Sequence, residues 1–273
     1  MKRPVLMLVA GMLMAGTAWA QEHPDTVIEK SSKRAYPVHL MAGPTGQTHT
    51  LTGIGVRTKT FLNVKVYAVG LYVDAAAARE ALEDWAAKSP KELEKDKSLY
   101  ARLLDMDIGM TLRLVMTRNV GGETMANAFD EALAPRVEKA AAEMNMPGGM
   151  EALAKFRSYF GLDKVTDGSI LQFSCVDGTL YSNIKGEEAE PIESPALCWA
   201  LFDVYLGEKP ISKGAKKKMG RGFAEILAHS DSDMEQAPAV DHDEDADHDE
   251  GADKDNDQDQ DQDQDAGDPD GGR

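Results

Sequence analysis

The side chain in this 273-residue chain best suited to chemistry is an arginine in a glycine-punctuated run, Gly53-Ile54-Gly55-Val56-Arg57. Shortly after it, a β-rich stretch carries Tyr67. A guanidinium presents a planar fork of donors that grips a carboxylate bidentately, and a phenol adds one more donor. Such groups hold an acid, or stabilise charge that develops on an oxygen during a reaction. The glycines open like a dinucleotide loop, but no third glycine arrives and a strand follows where a helix is required, so that reading fails. His23, His39, His49, His229, His242 and His248 show no spacing for a catalytic dyad. Cys175 and Cys198 form no CxxC, and no HExxH or spaced Cys/His set exists, so neither a metal nor a cofactor is expected.

These residues need elements to position them. Tyr36 to Met41 reads as a short strand, followed by the turn cluster Gly43-Pro44-Thr45-Gly46. Thr48 to Val56 alternates loosely. Phe61 to Val73, rich in Val, Tyr and Leu, is the strongest strand signal, and its pattern predicts burial on both faces for part of its length. Ala75 to Lys88 reads as helix with Trp85 on its apolar side, and Ser89, Pro90 and Glu92 mark a new helix start. Thr111 to Thr117 reads as a strand that Gly121 and Gly122 break. Helical spacing of Met125, Phe129, Ala132 and Leu133 supports a long helix from Glu123 to Met144, with another from Gly148 to Phe160. Ile170 to Cys175 and Thr179 to Ile184 flank Asp177-Gly178, a favoured hairpin turn. Ser194 as N-cap and Pro195 at the first position open a helix that runs to Leu206 and stops at Gly207. A basic helix spans Ser212 to Leu227. Early strands, a late hairpin and helices between and after predict an α+β fold with an antiparallel sheet, not a βαβ repeat. Cys175 falls on a strand and Cys198 on a helix, so a bridge and two buried thiols both remain open.

The two ends differ from this body. Lys2 and Arg3, the apolar run from Val5 to Met14, and Ala18-Trp19-Ala20 read as a signal peptide over residues 1–20, so the protein is expected to be exported, to a periplasm, without a stable membrane anchor. Residues 21–35 read as a polar leader, 36–229 as the folded domain and 230–273 as a disordered acidic tail. Of 47 acidic side chains, nineteen lie from Asp231 onward, against Lys254 and Arg273, so the formal charge of -17 belongs to the tail. The balanced body gives no electrostatic case for nucleic acid. Asp recurs at alternate positions from Asp241 to Asp249 and from Asp253 to Asp265, but neither face of the period is apolar, so nothing offsets the entropy of ordering it. EF-hand geometry requires Gly at the sixth position, where Glu250 and Ala266 stand, leaving only weak divalent binding or a basic partner for the tail. Lys213, Lys216, Lys217, Lys218 and Arg221 form a basic cluster just upstream.

Three stretches together carry a resemblance. Leu51 to Val73, containing Gly53-Ile54-Gly55-Val56-Arg57 and Val64-Lys65-Val66-Tyr67-Ala68-Val69-Gly70-Leu71-Tyr72, is similar to the hallmark of the chalcone isomerase family. Arg118 to Phe129 and Ala200 to Pro210, the latter with Leu206-Gly207-Glu208-Lys209-Pro210, resemble its bacterial exported branch, in the family's order. The resemblance implies a large antiparallel sheet with helices layered on one face, an open-faced β-sandwich with a ligand cleft between the layers. It implies that Arg57 is the arginine that stabilises charge in ring closure. Tyr67 takes the place of a water-holding Thr, the Tyr and Asn of the next helix fall near Thr124 and Glu131, and the late Thr-Met pair falls at Val204 and Tyr205. Only Arg57 of that catalytic set is retained, so the resemblance points away from an isomerase (intramolecular lyase) on an unsaturated carbonyl. It points toward the family's fatty-acid-binding members, with Arg57, Tyr67 and Thr124 as ligand-binding residues and a small amphipathic acid as ligand. A structural ion pair for Arg57 with a buried carboxylate is the competing expectation.

Overall fold

A computed structural model describes residues 25–59, 64–105 and 108–228. The segment read as a signal peptide, the acidic tail and Phe61 lie outside the described residues.

The fold begins inside the region read as a leader. β1 (Thr26–Ile28) pairs antiparallel with β2 (Ala35–Pro37). The turn between them is organised by one carboxylate: Glu29 Oε2 accepts from Ser31 Oγ at 2.9 Å, Ser32 N at 2.6 Å and Ser32 Oγ at 2.7 Å. Three-residue strands leave no periodicity to read, so the sequence shows only the polarity of residues 25–35 and not their pairing. β3 (His39–Met41) then leads into the two long strands β4 (Thr48–Lys59) and β5 (Val64–Val73).

α1 (Ala75–Ala81) starts on Asp74, whose side chain accepts from the amides of Ala76 and Ala77. It ends sooner than its composition suggests, because the buried Leu82 leaves helical geometry and a 3-10 turn follows at Glu83–Trp85. Trp85 Nε1 instead donates to Asp96 Oδ2 at 3.2 Å, and Asp96 also caps the helix over Lys97–Leu103. α2 (Pro90–Leu93) begins with the reciprocal Ser89–Glu92 capping box, and α3 (Lys97–Leu103) follows.

β6 (Met110–Met116) returns to the sheet and is buried throughout. The two-residue strand β7 (Val120–Gly121) precedes the long helix α4 (Gly122–Glu143) and α5 (Gly149–Ser158). β8 (Lys164–Val165) pairs with β7, and β9 (Ile170–Val176) and β10 (Thr179–Ile184) form the expected hairpin. Asp177 and Gly178 at its tip have φ of 49° and 74°, the positive values that a tight hairpin turn requires. Short strands β11 (Glu187–Glu188) and β12 (Ile192–Glu193) both add to β10. α6 (Pro195–Leu206) has the N-cap, first-turn proline and end residue that the sequence marks, and α7 (Lys213–Ala228) closes the described chain.

The main sheet runs β11-β10-β9-β6-β5-β4-β3, with every neighbour antiparallel. One face carries Val69, Leu71 and Val73 of β5 with Leu112 and Leu114 of β6, packed under α4, α6 and α7. The other face carries Ala68, Tyr72 and Val115, covered by Tyr36 and Leu40. β5 is thus buried on both sides along most of its length, as its near-continuous apolar run requires.

Two features of β4 set the position of Arg57. First, the strand lies unusually close to α7. A methyl group placed on Gly53 would stand 2.4 Å from the Lys218 carbonyl oxygen, and one on Gly55 would stand 2.1 Å from Ala215 Cβ. The Gly-x-Gly run is therefore a helix-docking track. Second, the β4–β5 register slips: Arg57 pairs with Tyr67 but Thr58 pairs with Lys65, which leaves Val66 as an extra residue on β5. Such a bulge re-aims the side chains around it. Cys175 of β9 and Cys198 in the first half of α6 are bridged, with Cα atoms 5.9 Å apart, so the open choice between bridge and thiols resolves to a bridge.

Candidate functional site

The strand alternation of β4 sends Gly53, Gly55 and Arg57 toward the helical layer, and Ile54 toward the outer face. Gly53 and Gly55 are covered by α7. Arg57 lies beyond the helix's first turn, where the layer opens into a cavity of about 620 Å³. The bulge lets both Val66 and Tyr67 face this cavity, although they are adjacent in sequence. Met125, Phe129, Leu201, Val204 and Ile211 are among the residues of its apolar wall. The volume falls in the range of small-molecule sites, about 300–1,000 Å³.

Arg57 is half-buried, and its Nη1 donates to two backbone carbonyls, of Thr58 at 2.9 Å and of Ile211 at 2.8 Å. These bonds fix the guanidinium plane without neutralising it. Among the described residues no carboxylate pairs with Arg57, so the competing expectation of a structural ion pair is not met. Arg136, which also lines the cavity, is neutralised: its Nε donates to Asp203 Oδ2 at 2.8 Å, and its other nitrogens hold the carbonyls of Ala132 and Lys209. That knot ties α4, α6 and the α6–α7 connection together.

Tyr67 hydroxyl lies 2.8 Å from Tyr205 hydroxyl, and both side chains are buried. Burial pushes the Tyr67 phenol up, while Tyr205 and the Arg57 charge pull it partly back. Burial also pushes Tyr205 well up, with Tyr67 adding to the rise. Both therefore stay protonated. One hydroxyl hydrogen makes the Tyr–Tyr bond. The second has no acceptor among the described residues and is available to an oxygen placed in the cavity.

Thr124 and Glu131 stand exposed at the cavity's open side, as do Lys59 and Arg118. Arg57, Tyr67 and Thr124, singled out from the sequence, thus line one cavity, and so do the aligned positions Glu131, Val204 and Tyr205. Tyr205 as a donor is what the sequence reading missed. Its pairing with Tyr67 spans 138 residues and has no local signature. Arg118 and Lys59 were missed for a plainer reason, since lone surface cations carry no spacing signal.

Among the described residues, no group of three or more His, Cys, Asp or Glu side chains is placed to hold a metal ion, and no helix is long and apolar enough to cross a membrane.

Known proteins align with this frame. The family model described as chalcone isomerase like matches residues 47–220. Fatty-acid-binding protein 1 of Arabidopsis thaliana is 29% identical over 200 residues, which is 71% of this chain and 68% of that protein. Chalcone isomerase-like protein 1 of Humulus lupulus is 30% identical over 73% of this chain and 92% of its own length. A crystal structure of an Arabidopsis thaliana fatty-acid binding protein superimposes with a TM-score of 0.63 at 27% identity, covering 74% of this chain and 99% of that one. Cleft, sheet order and matched residues lead to one assignment: the chain belongs to the chalcone isomerase-like family.

Proposed function

We propose that this protein binds a small amphipathic carboxylic acid, of the fatty-acid class, without transforming it. The observation that carries the reading is a half-buried, carboxylate-free Arg57 facing an apolar cavity beside an available tyrosine hydroxyl. The guanidinium nitrogens that the backbone leaves unused receive the carboxylate, a hydroxyl of the Tyr67–Tyr205 pair adds a donor, and the alkyl chain lies along Val66, Met125, Phe129 and Leu201. The Arabidopsis relatives named as fatty-acid binding support this class of ligand. An intramolecular lyase is the weaker reading. Arg57 is the one retained member of the ring-closing set, and two neutral phenols supply donors but no base.

Export belongs to the same proposal. The amino-terminal segment reads as a signal peptide, and the Cys175–Cys198 bridge suits an oxidising compartment. The acidic tail then serves as a solvating extension or a weak contact for a basic partner.

The test is a titration of delipidated protein with saturated fatty acids of increasing length, by displacement of a fluorescent fatty-acid probe. Arg57→Ala is expected to weaken binding by about 1.5–3 kcal/mol, roughly ten- to hundredfold in Kd. Saturable binding that Arg57→Ala leaves unchanged, or no binding at all, ends the proposal.

A further inference from the structure

Away from the cavity, the turn between α4 and α5 reads Met144-Asn145-Met146-Pro147-Gly148-Gly149-Met150, three thioethers within seven residues. Methionine is ordinarily a core residue. Met110, Met116 and Met219 are fully buried and Met125 nearly so, while Met41 on the edge strand β3 is half-buried. Met144 and Met150 are instead 37% and 49% exposed, and Met146 is half-buried against the core edge.

The backbone holds these residues together. The amides of Met144 and Met146 both donate to the Ala140 carbonyl, at 3.1 and 3.2 Å. Asn145 between them has φ of 54° and Gly148 has φ of 77°, so the chain reverses within one tight turn. Gly149 is wedged against Val137 of α4 and Ala196 of α6, which fixes where α5 starts. Met150 lies in the first turn of α5, and helical side chains lean toward the helix amino terminus, which here means back over the turn. Methionine has three rotatable side-chain bonds, so side-chain rotation alone can bring sulfurs on such a frame toward one ion.

We infer that Met144, Met146 and Met150 form a binding site for a soft monovalent cation, copper(I) being the natural one. Neutral thioethers discriminate strongly. They suit soft copper(I) and its analogue silver(I), and offer little to zinc, calcium or magnesium, which prefer imidazole, carboxylate or water. Three neutral ligands around a monovalent ion need no compensating carboxylate. The flanking acids are turned elsewhere or remain in solvent: Glu143 lies 3.9 Å from Lys139, and Glu151 is exposed. The site is independent of the lipid cavity, none of whose lining residues it shares.

The experiment uses the full chain with its disulfide intact and methionine methyls labelled with carbon-13. Silver nitrate is titrated in chloride-free buffer. The methyl resonances of Met144, Met146 and Met150 are expected to shift together and saturate at one ion, while those of Met110, Met116, Met125 and Met219 stay in place. The triple variant Met144→Leu, Met146→Leu, Met150→Leu conserves side-chain volume and keeps the fold, and titrating the variants with single Met→Leu changes shows the loss ligand by ligand. Silver held by histidines or acids elsewhere on the chain does not enter this readout. The inference is overturned if the three methyls fail to move, if the core methionines move equally, or if zinc at the same concentration moves them as far as silver.

Discussion

At the scale of single residues, the site is defined by what Arg57 and the two tyrosines leave unfilled. Arg57 spends one nitrogen on the carbonyls of Thr58 and Ile211, which orients its remaining donors. Two phenols share one hydrogen bond, which leaves one hydrogen over. Since the hydroxyl that remains would still carry a free hydrogen, the donor is removed only by the double change Tyr67→Phe, Tyr205→Phe, which keeps both rings in their buried slots. It should weaken fatty-acid binding by about 1 kcal/mol, roughly fivefold in Kd, with a much smaller effect on thermal stability; calorimetric titration beside a melting curve separates the two. His49 offers a second residue-scale prediction. It is fully buried, its Nδ1 lies 3.0 Å from Thr111 Oγ1, and burial lowers its pKa from 6.5 to about 4, only partly opposed by Asp74. The folded state therefore holds His49 neutral, while the unfolded chain protonates it near its ordinary value. Stability from this group is complete above about pH 6.5 and is lost as pH falls toward 4, on the order of 3 kcal/mol in all. Denaturant melts across that window should show the loss, and His49→Gln should flatten it.

At the scale of elements, the decisive contact is α7 against β4. Gly55 meets Ala215 with no room for a methyl group, so Gly55→Ala forces helix and strand apart at the cavity edge. The expected cost is about 1–3 kcal/mol in urea unfolding, accompanied by weaker ligand binding because Ile211, which steadies Arg57, precedes α7 directly. Much of this level was readable from the chain. Ser194, Pro195 and Gly207 delimit α6 because capping and proline chemistry act locally, and Asp177-Gly178 marks the hairpin because it needs positive φ twice. Gly53 and Gly55 were visible as unusual, but their reason was not, since it resides in a helix some 160 residues later. The Val66 bulge was illegible for a similar reason. It is a mismatch between two strands, whereas the sequence shows each strand alone. The early end of α1 was missed because Ala-rich composition favours helix up to Lys88, while Trp85 is drawn off by Asp96.

At the scale of the whole molecule, the sheet is a two-sided wall whose faces have separate tasks. One side builds the core and the cavity, and the other is closed by the amino-terminal strands. Arg57 was readable as a candidate because a family pattern frames it, and the same pattern concealed Tyr205, which occupies the place of a smaller residue. Its meaning emerges only when α6 is laid across β5. Cys175 and Cys198 join the same two layers, and both are sealed, at 1% and 0% exposure. That burial has a practical consequence at the bench. A thiol-reactive dye added to the native protein will report no accessible sulfhydryl whether the two sulfurs are joined or separate, so their oxidation state is measured by alkylating after the chain has been unfolded.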